Sequence, residues 1–311
     1  MISLKIAFVN VLISLLYMIP GFILCKTKKA VANHLSTVSA ILIYICSPCM
    51  IISSFMSLEF NMSNLLYMSL FFVVSFIVQL LFLLIVYMIF KKKYNISKYR
   101  MLTIGSVLGN CGFFGLPLIK ALLPNNPEVA CYSSIYVISM NILVFTAGIY
   151  ALTQDKKYIS VKAAILNPTF ISLLAALPLY FTVASNWMPS VLKDSIFLLG
   201  KMTTPMCMFI LGIRLATMDF KKLFTNPFVY LICSGKLIIF PLFAYLCVFF
   251  LPLPASFKSS ILILAATPCA SIILNLAEIH GKETEMSANC ILLSTILCII
   301  TIPLLSLLIV S

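Results

Sequence analysis

Two short stretches hold the residue types with which this chain can bind something. The first is Gly109-Asn110-Cys111-Gly112-Phe113-Phe114-Gly115-Leu116-Pro117; the second runs from Pro268 through Ser271 to Asn275. Their chemistry is non-covalent. Proline removes an amide donor and clashes with the preceding turn, and glycine permits an unwound, closely approached backbone. Asn110, Ser271 and Asn275 add amide and hydroxyl groups, and Phe113 can line an apolar pocket. The amides that open a helix attract anions, while carbonyls at a helix end can hold a cation. The expected chemistry is the capture of a small ion or polar molecule on open backbone.

The parts of an enzyme or a metal centre are missing. Only His34 and His280 are available, both near loops, so no zinc ligand set assembles. The eleven cysteines lie mostly within apolar runs, where free Cys packs as a small hydrophobe. Cys46 and Cys49 have CxxC spacing but no partner pair. No phosphate loop, nucleophile elbow or carboxylate pair is present. We expect neither an enzyme nor a resident cofactor.

The elements that position these residues are set by the solvent. The chain is 62% hydrophobic and 9% charged, with a mean hydropathy of +1.15, whereas a soluble domain is about 25% charged. Ten apolar runs are separated by charged, Asn-rich or Pro-rich breaks: 4–25, 35–58, 65–90, 101–123, 129–152, 163–184, 191–217, 227–251, 259–278 and 287–310. Each is close to the ~20 residues that a helix needs to cross a bilayer. The first run is too long for a removable signal peptide and has no small-residue cleavage site. The fold class is therefore an all-α polytopic membrane protein, with the Gly/Pro stretches in the middle of runs 4 and 9.

The net charge of +13 reports topology rather than nucleic-acid binding. Fourteen Lys and Arg residues follow runs 1, 3, 5 and 7: Lys26, Lys28 and Lys29; Lys91, Lys92, Lys93, Lys98 and Arg100; Lys156, Lys157 and Lys162; Arg214, Lys221 and Lys222. The other side has little beyond Lys5, Lys120, Lys193 and Lys258. Cytoplasmic loops carry the Lys/Arg excess, so odd-numbered loops are expected in the cytoplasm and both termini outside a cell membrane. Anionic lipid is a natural partner for such loops.

The two halves echo each other. Pro20 and Pro178 are 158 residues apart, Pro48 and Pro205 157, and Pro117 and Pro268 151, each pair in corresponding runs. Residues 1–155 and 156–311 then form two five-helix repeats. An odd number of spans inverts the second in the membrane. Inverted repeats with interrupted helices at matching positions point to a secondary transporter's binding site. Irregular backbone at membrane depth survives only where protein or a water-filled cavity covers it.

Ionisable groups within the runs are expensive and are functional candidates. Lys236 lies near the centre of run 8, and Gln79 in run 3 is its counterpart at an offset of 157. Lys236 can neutralise an anionic substrate or stand where a cation would bind. Lys201 snorkels from its position near a run's start, and Arg214 anchors the cytoplasmic end of run 7. No Asp or Glu lies inside a run; Glu278 is ten residues beyond Pro268, about 15 Å along a helix.

The motifs resemble those of a known family. "GNCGFFGLPLI" (109–119) looks like the fourth-span signature of the auxin efflux carrier family, which includes plant PIN exporters and bacterial malate/malonate permease-like proteins. "ATPCASIILNLAE" (266–278), "TTPMCMFILGIRLA" (203–216) and "LLSTILCIITIPL" (292–304) are similar to its ninth, seventh and tenth spans. The resemblance implies a fold like that of the bile-acid sodium symporters, with ten helices in two inverted repeats. It implies a scaffold of runs 1, 2, 6 and 7 (4–58, 163–217) that mediates homodimerisation. It also implies a transport domain of runs 3–5 and 8–10 (65–152, 227–310), in which helices 4 and 9 cross. That domain would carry small organic anions, auxin-like or dicarboxylate, by an elevator movement. Carried over residue by residue, the substrate site comprises Asn110, Cys111, Gly112, Phe113, Gly115, Pro117, Pro268, Ser271 and Asn275, with Asn141 of run 5 facing it. The long hydrophilic insert of the plant members is absent. The alternatives are a sodium-coupled symporter of the bile-acid type and a transporter-like receptor or channel. Coupling stays open: Na⁺ held by carbonyls with Asn110, Ser271, Asn275 or Thr295, H⁺ carried by Lys236, or no coupling ion.

Overall fold

The structure is a computed structural model that describes residues 2–217 and 224–309. Lys221 and Lys222 of the basic loops, and residue 310 at the end of the tenth run, lie outside the described residues. Among the described residues, eight helical spans are long and apolar enough to cross a membrane: α1 (Leu4–Lys26), α2 (Leu35–Met56), α3 (Met62–Lys93), α5 (Val129–Thr153), α6 (Lys156–Phe181), α7 (Ser190–Thr217), α8 (Pro227–Phe249) and α10 (Thr284–Ser306). The other two apolar runs are each split, into α4a (Ser97–Gly105) and α4b (Gly115–Leu122), and α9a (Ala255–Ala265) and α9b (Ile272–His280). The chain is thus an all-helical, multi-pass membrane protein, interrupted where its glycines and prolines cluster.

Local signals start several helices. Asn61, Asn167 and Asn226 each accept a hydrogen bond from an amide of the first turn, the usual N-cap arrangement. Pro168 and Pro227 follow two of these caps directly, where a missing N–H costs nothing. The Asn167-Pro168 pair also puts a jog in α6, between the turns at Val161–Ile165 and Pro168–Phe181. Pro117 is the third residue of α4b. It therefore sits in a first turn that needs no donor from it, and it opens the second half-helix instead of clashing with a turn before it.

Helices α1 and α7 cross closely at two glycines. A Cβ on Gly21 would lie 2.3 Å from the Phe209 carbonyl oxygen, and one on Gly212 2.0 Å from that of Met18. Small residues that let backbones approach in this way are the usual means of membrane helix packing. α2 packs on α6 and α7, α3 on α5, and α8 on α9a and α10. The stretch Ile261–Ala265 of α9a is fully buried on all sides, as a helix that is apolar all round should be. Side chains such as Leu66, Met88, Val191, Leu246 and Ile300 are exposed, which on a membrane protein is the face offered to lipid.

Candidate functional site

The two breaks meet. Leu108–Asn110 and Pro268–Ala270 run antiparallel and form an isolated β-bridge at Gly109 and Cys269. The Asn110 amide donates to the Pro268 carbonyl at 2.7 Å, and the Ala270 amide to the Leu108 carbonyl at 3.0 Å. Gly109 is required by proximity: a Cβ there would lie 2.6 Å from Thr267 Oγ1 and 2.7 Å from Lys236 Nζ.

Four neighbouring helices satisfy the rest of the opened backbone. Ser133 Oγ of α5 donates to the Cys111 carbonyl at 2.9 Å, and Thr204 Oγ1 of α7 to the Phe113 carbonyl at 2.7 Å. Ser294 Oγ of α10 accepts from the Cys269 amide at 2.9 Å. Lys236 Nζ of α8 donates to the carbonyl of Ala265, the last residue of α9a. An unpaired buried backbone group would cost several kcal/mol in a membrane interior, so these side chains are what make the break tolerable.

Beside the crossing lies a cavity of about 350 Å³, a size that accommodates a small molecule. Asn110, Cys111, Gly112, Phe113, Asn141, Ser271 and Asn275 all line it, so residues beside the starts of α4b and α9b and the α5 asparagine share one wall. Gly115, Pro117 and Pro268 are not in its wall. Gly115 packs toward Leu264, where a Cβ would come within 3.0 Å, and Pro268 supplies the carbonyl of the bridge. The remaining wall is largely apolar, including Leu42, Met50, Val137, Phe145 and Ile210.

Lys236 and Gln79 lie elsewhere. Lys236 is fully buried behind Gly109, with its ammonium 4.8 Å from the Phe240 ring centroid. It is the cation at the carbonyl end of α9a, a favourable place for positive charge. Gln79 is fully buried between α3 and α5, donating to Ser139 Oγ at 2.9 Å and to the Ser75 carbonyl at 3.0 Å. Lys236 is in a π-helical turn (Gly235–Ile239), and two more such turns, Leu42–Cys46 and Val144–Gly148, supply cavity residues from α2 and α5. Such turns recur at functional sites.

Five polar contributors to the wall escape a reading of the sequence: Ser39 and Ser47 of α2, and Asn167, Thr169 and Arg214. Asn167 and Thr169 enter from the jog in α6, and Arg214 enters from α7, one helical face with Cys207 and Ile210. The Asn-Pro pair falls inside run 6 (163–184), and nothing beside it in sequence marks a pocket. Arg214 approaches Glu278 of α9b, Nη1 to Oε1, at 3.5 Å. Among the described residues no group of three or more His, Cys, Asp and Glu side chains could hold a metal ion.

Comparison with known proteins identifies the lineage. No curated protein matches the chain. A membrane transport protein family matches it twice, over residues 6–163 and 153–306. These matches span nearly the whole chain, which therefore belongs to this family of membrane transport proteins, the family of the auxin efflux carriers.

Proposed function

We propose that this chain is a secondary transporter of small organic anions that binds its substrate in the cavity beside the crossing of α4 and α9. The observation that carries this reading is the paired break itself. Two helices are opened at matched positions, their backbone is satisfied by four other helices, and their N-terminal ends line one cavity. Helix N-termini favour negative charge, and Asn110, Asn141, Ser271 and Asn275 offer neutral hydrogen bonds around it.

The cavity wall draws on the beginnings of α2 and α6 and the end of α7, which adjoin the basic loops, and on the end of α9b beside Arg214. With those loops cytoplasmic, both termini lie outside, and the cavity is the inward-facing one. In this reading each half of the chain is a five-helix repeat, the second inverted. α1, α2, α6 and α7 form a scaffold that also holds a second copy, and the remaining helices carry the substrate past it. Lys236 supplies a fixed positive charge on the carbonyl end of α9a, which argues for carriage without an alkali coupling ion.

Counterflow tests the proposal. Purified protein in liposomes preloaded with unlabelled phenylacetate or succinate should accumulate the labelled acid transiently from outside. A channel or receptor gives no counterflow, and its absence with both acids would overturn the reading.

A further inference from the structure

Among the described residues, Arg214 is the one charged side chain in the cavity wall. Its side chain is 21% exposed, and its Nε–H is buried with no hydrogen-bond partner. Its ion-pair partner, Glu278 on α9b, is half exposed and lies 3.5 Å away. A charge-assisted N–H···O⁻ hydrogen bond is normally about 2.7–2.9 Å long. A guanidinium presents five donors in a rigid fork that fits a carboxylate with two parallel bonds. Arg214 therefore has guanidinium donors that its present partner fills only loosely.

Its place along α7 makes it part of the binding site. Cys207 Sγ, on the same face, is 3.8 Å from Asn110 Nδ2. The seven residues to Arg214 rise about 10 Å along the helix axis. Between Arg214 and the crossing the wall is mostly apolar, with Ile210, Leu276 and Ile272 among its members. An acid with its carboxylate on Arg214 would have its body in that apolar stretch and point toward Asn110.

Building on the anion-carrier reading, we infer that Arg214 is the residue that selects for a carboxylate, and that Glu278 is a built-in competitor which the substrate displaces. The half-helix N-termini then orient the body of the substrate rather than neutralise it. Because Glu278 belongs to α9b and Arg214 to α7, the entering acid also releases the ion pair between those helices.

The test uses detergent-purified full-length protein with phenylacetate and its neutral isostere phenylacetamide as probes, binding being read by thermal shift and titration. Wild type should prefer the acid by about tenfold or more, the worth of a hydrogen bond to a charged group. Arg214→Gln should remove that preference by weakening the acid alone. Arg214→Lys should keep part of it, because charge remains but the fork is lost. Glu278→Gln, at a half-exposed site that tolerates substitution, should tighten acid binding by up to about fivefold.

If Arg214→Gln keeps the wild-type preference while Asn110→Ala loses both ligands, the inference falls and the cavity reading stands. If Arg214→Gln does not fold, Glu278→Gln decides: tighter acid binding supports the inference, and unchanged or weaker binding overturns it. If wild type binds neither phenylacetate nor succinate, the anion-carrier reading fails and this inference with it.

Discussion

The amide of Asn110 donates to the carbonyl of Pro268 across 2.7 Å, joining two helices interrupted about 150 residues apart in sequence. Pro268 has no amide to return, so the second bond of the pair comes from Ala270 to Leu108. This small antiparallel contact fixes how near the two half-helix ends lie, and the cavity wall is built on it.

Gly109→Ala should disrupt that contact. The added methyl has only Thr267 Oγ1 and the Lys236 ammonium region to enter, all within 2.8 Å. Overpacking of this kind costs about 1–3 kcal/mol. A fall of several degrees in the melting temperature in detergent is expected; a melting temperature equal to wild type would show that the crossing is looser than described.

Ser294→Ala should destabilise the protein through a single lost hydroxyl. The Cys269 amide it serves is buried, and an orphaned buried donor costs about 1–3 kcal/mol. Ser195 donates to its own helix at Val191 and is exposed, so Ser195→Ala should change stability by no more than about 0.5 kcal/mol. Equal melting temperatures for the two variants would contradict the role given to Ser294.

Replacement of Lys236 separates charge from space. The ammonium is enclosed by Gly109, Phe240 and the Ala265 carbonyl, which leaves no room for a guanidinium. Lys236→Arg should therefore lower the melting temperature more than Lys236→Met, although only the Arg variant keeps the charge. In Lys236→Met the carbonyl end of α9a is open, and sodium should raise the melting temperature where it does not in wild type. An Arg variant as stable as wild type would contradict the enclosure.

Sidedness follows from the wall. Ile279 lines the cavity and is 74% exposed. An Ile279→Cys variant should react with a membrane-impermeant maleimide, above the wild-type background, from the side of the basic loops. Labelling from the opposite side alone would reverse the orientation of the cavity.

Much of the fold was legible because a bilayer imposes length and polarity on every span. The ten apolar runs and the two breaks followed from that constraint. The residues that stabilise the breaks were not legible. Ser133, Thr204 and Ser294 are ordinary hydroxyls in apolar helices, and nothing near them in sequence says which carbonyl or amide they meet. Lys236 stood out as a buried charge, yet its partner lies on α9a, and only the packing of α8 on α9a reveals it. Arg214 was read as an anchor because depth along one helix says how near an end a residue lies. It does not say that α9b and the cavity reach that end. Asn167 lies inside run 6, and the jog that makes it part of the wall is a tertiary feature.

The central claim is that the acid binds at the crossing, and Asn110→Ala and Asn275→Ala test it most directly. Both side chains line the cavity, and neither donates to or accepts from the backbone bridge through its side chain. The account predicts that both variants melt near the wild-type temperature and lose the stabilisation by phenylacetate or succinate that wild type shows. Full ligand stabilisation in both variants would contradict it.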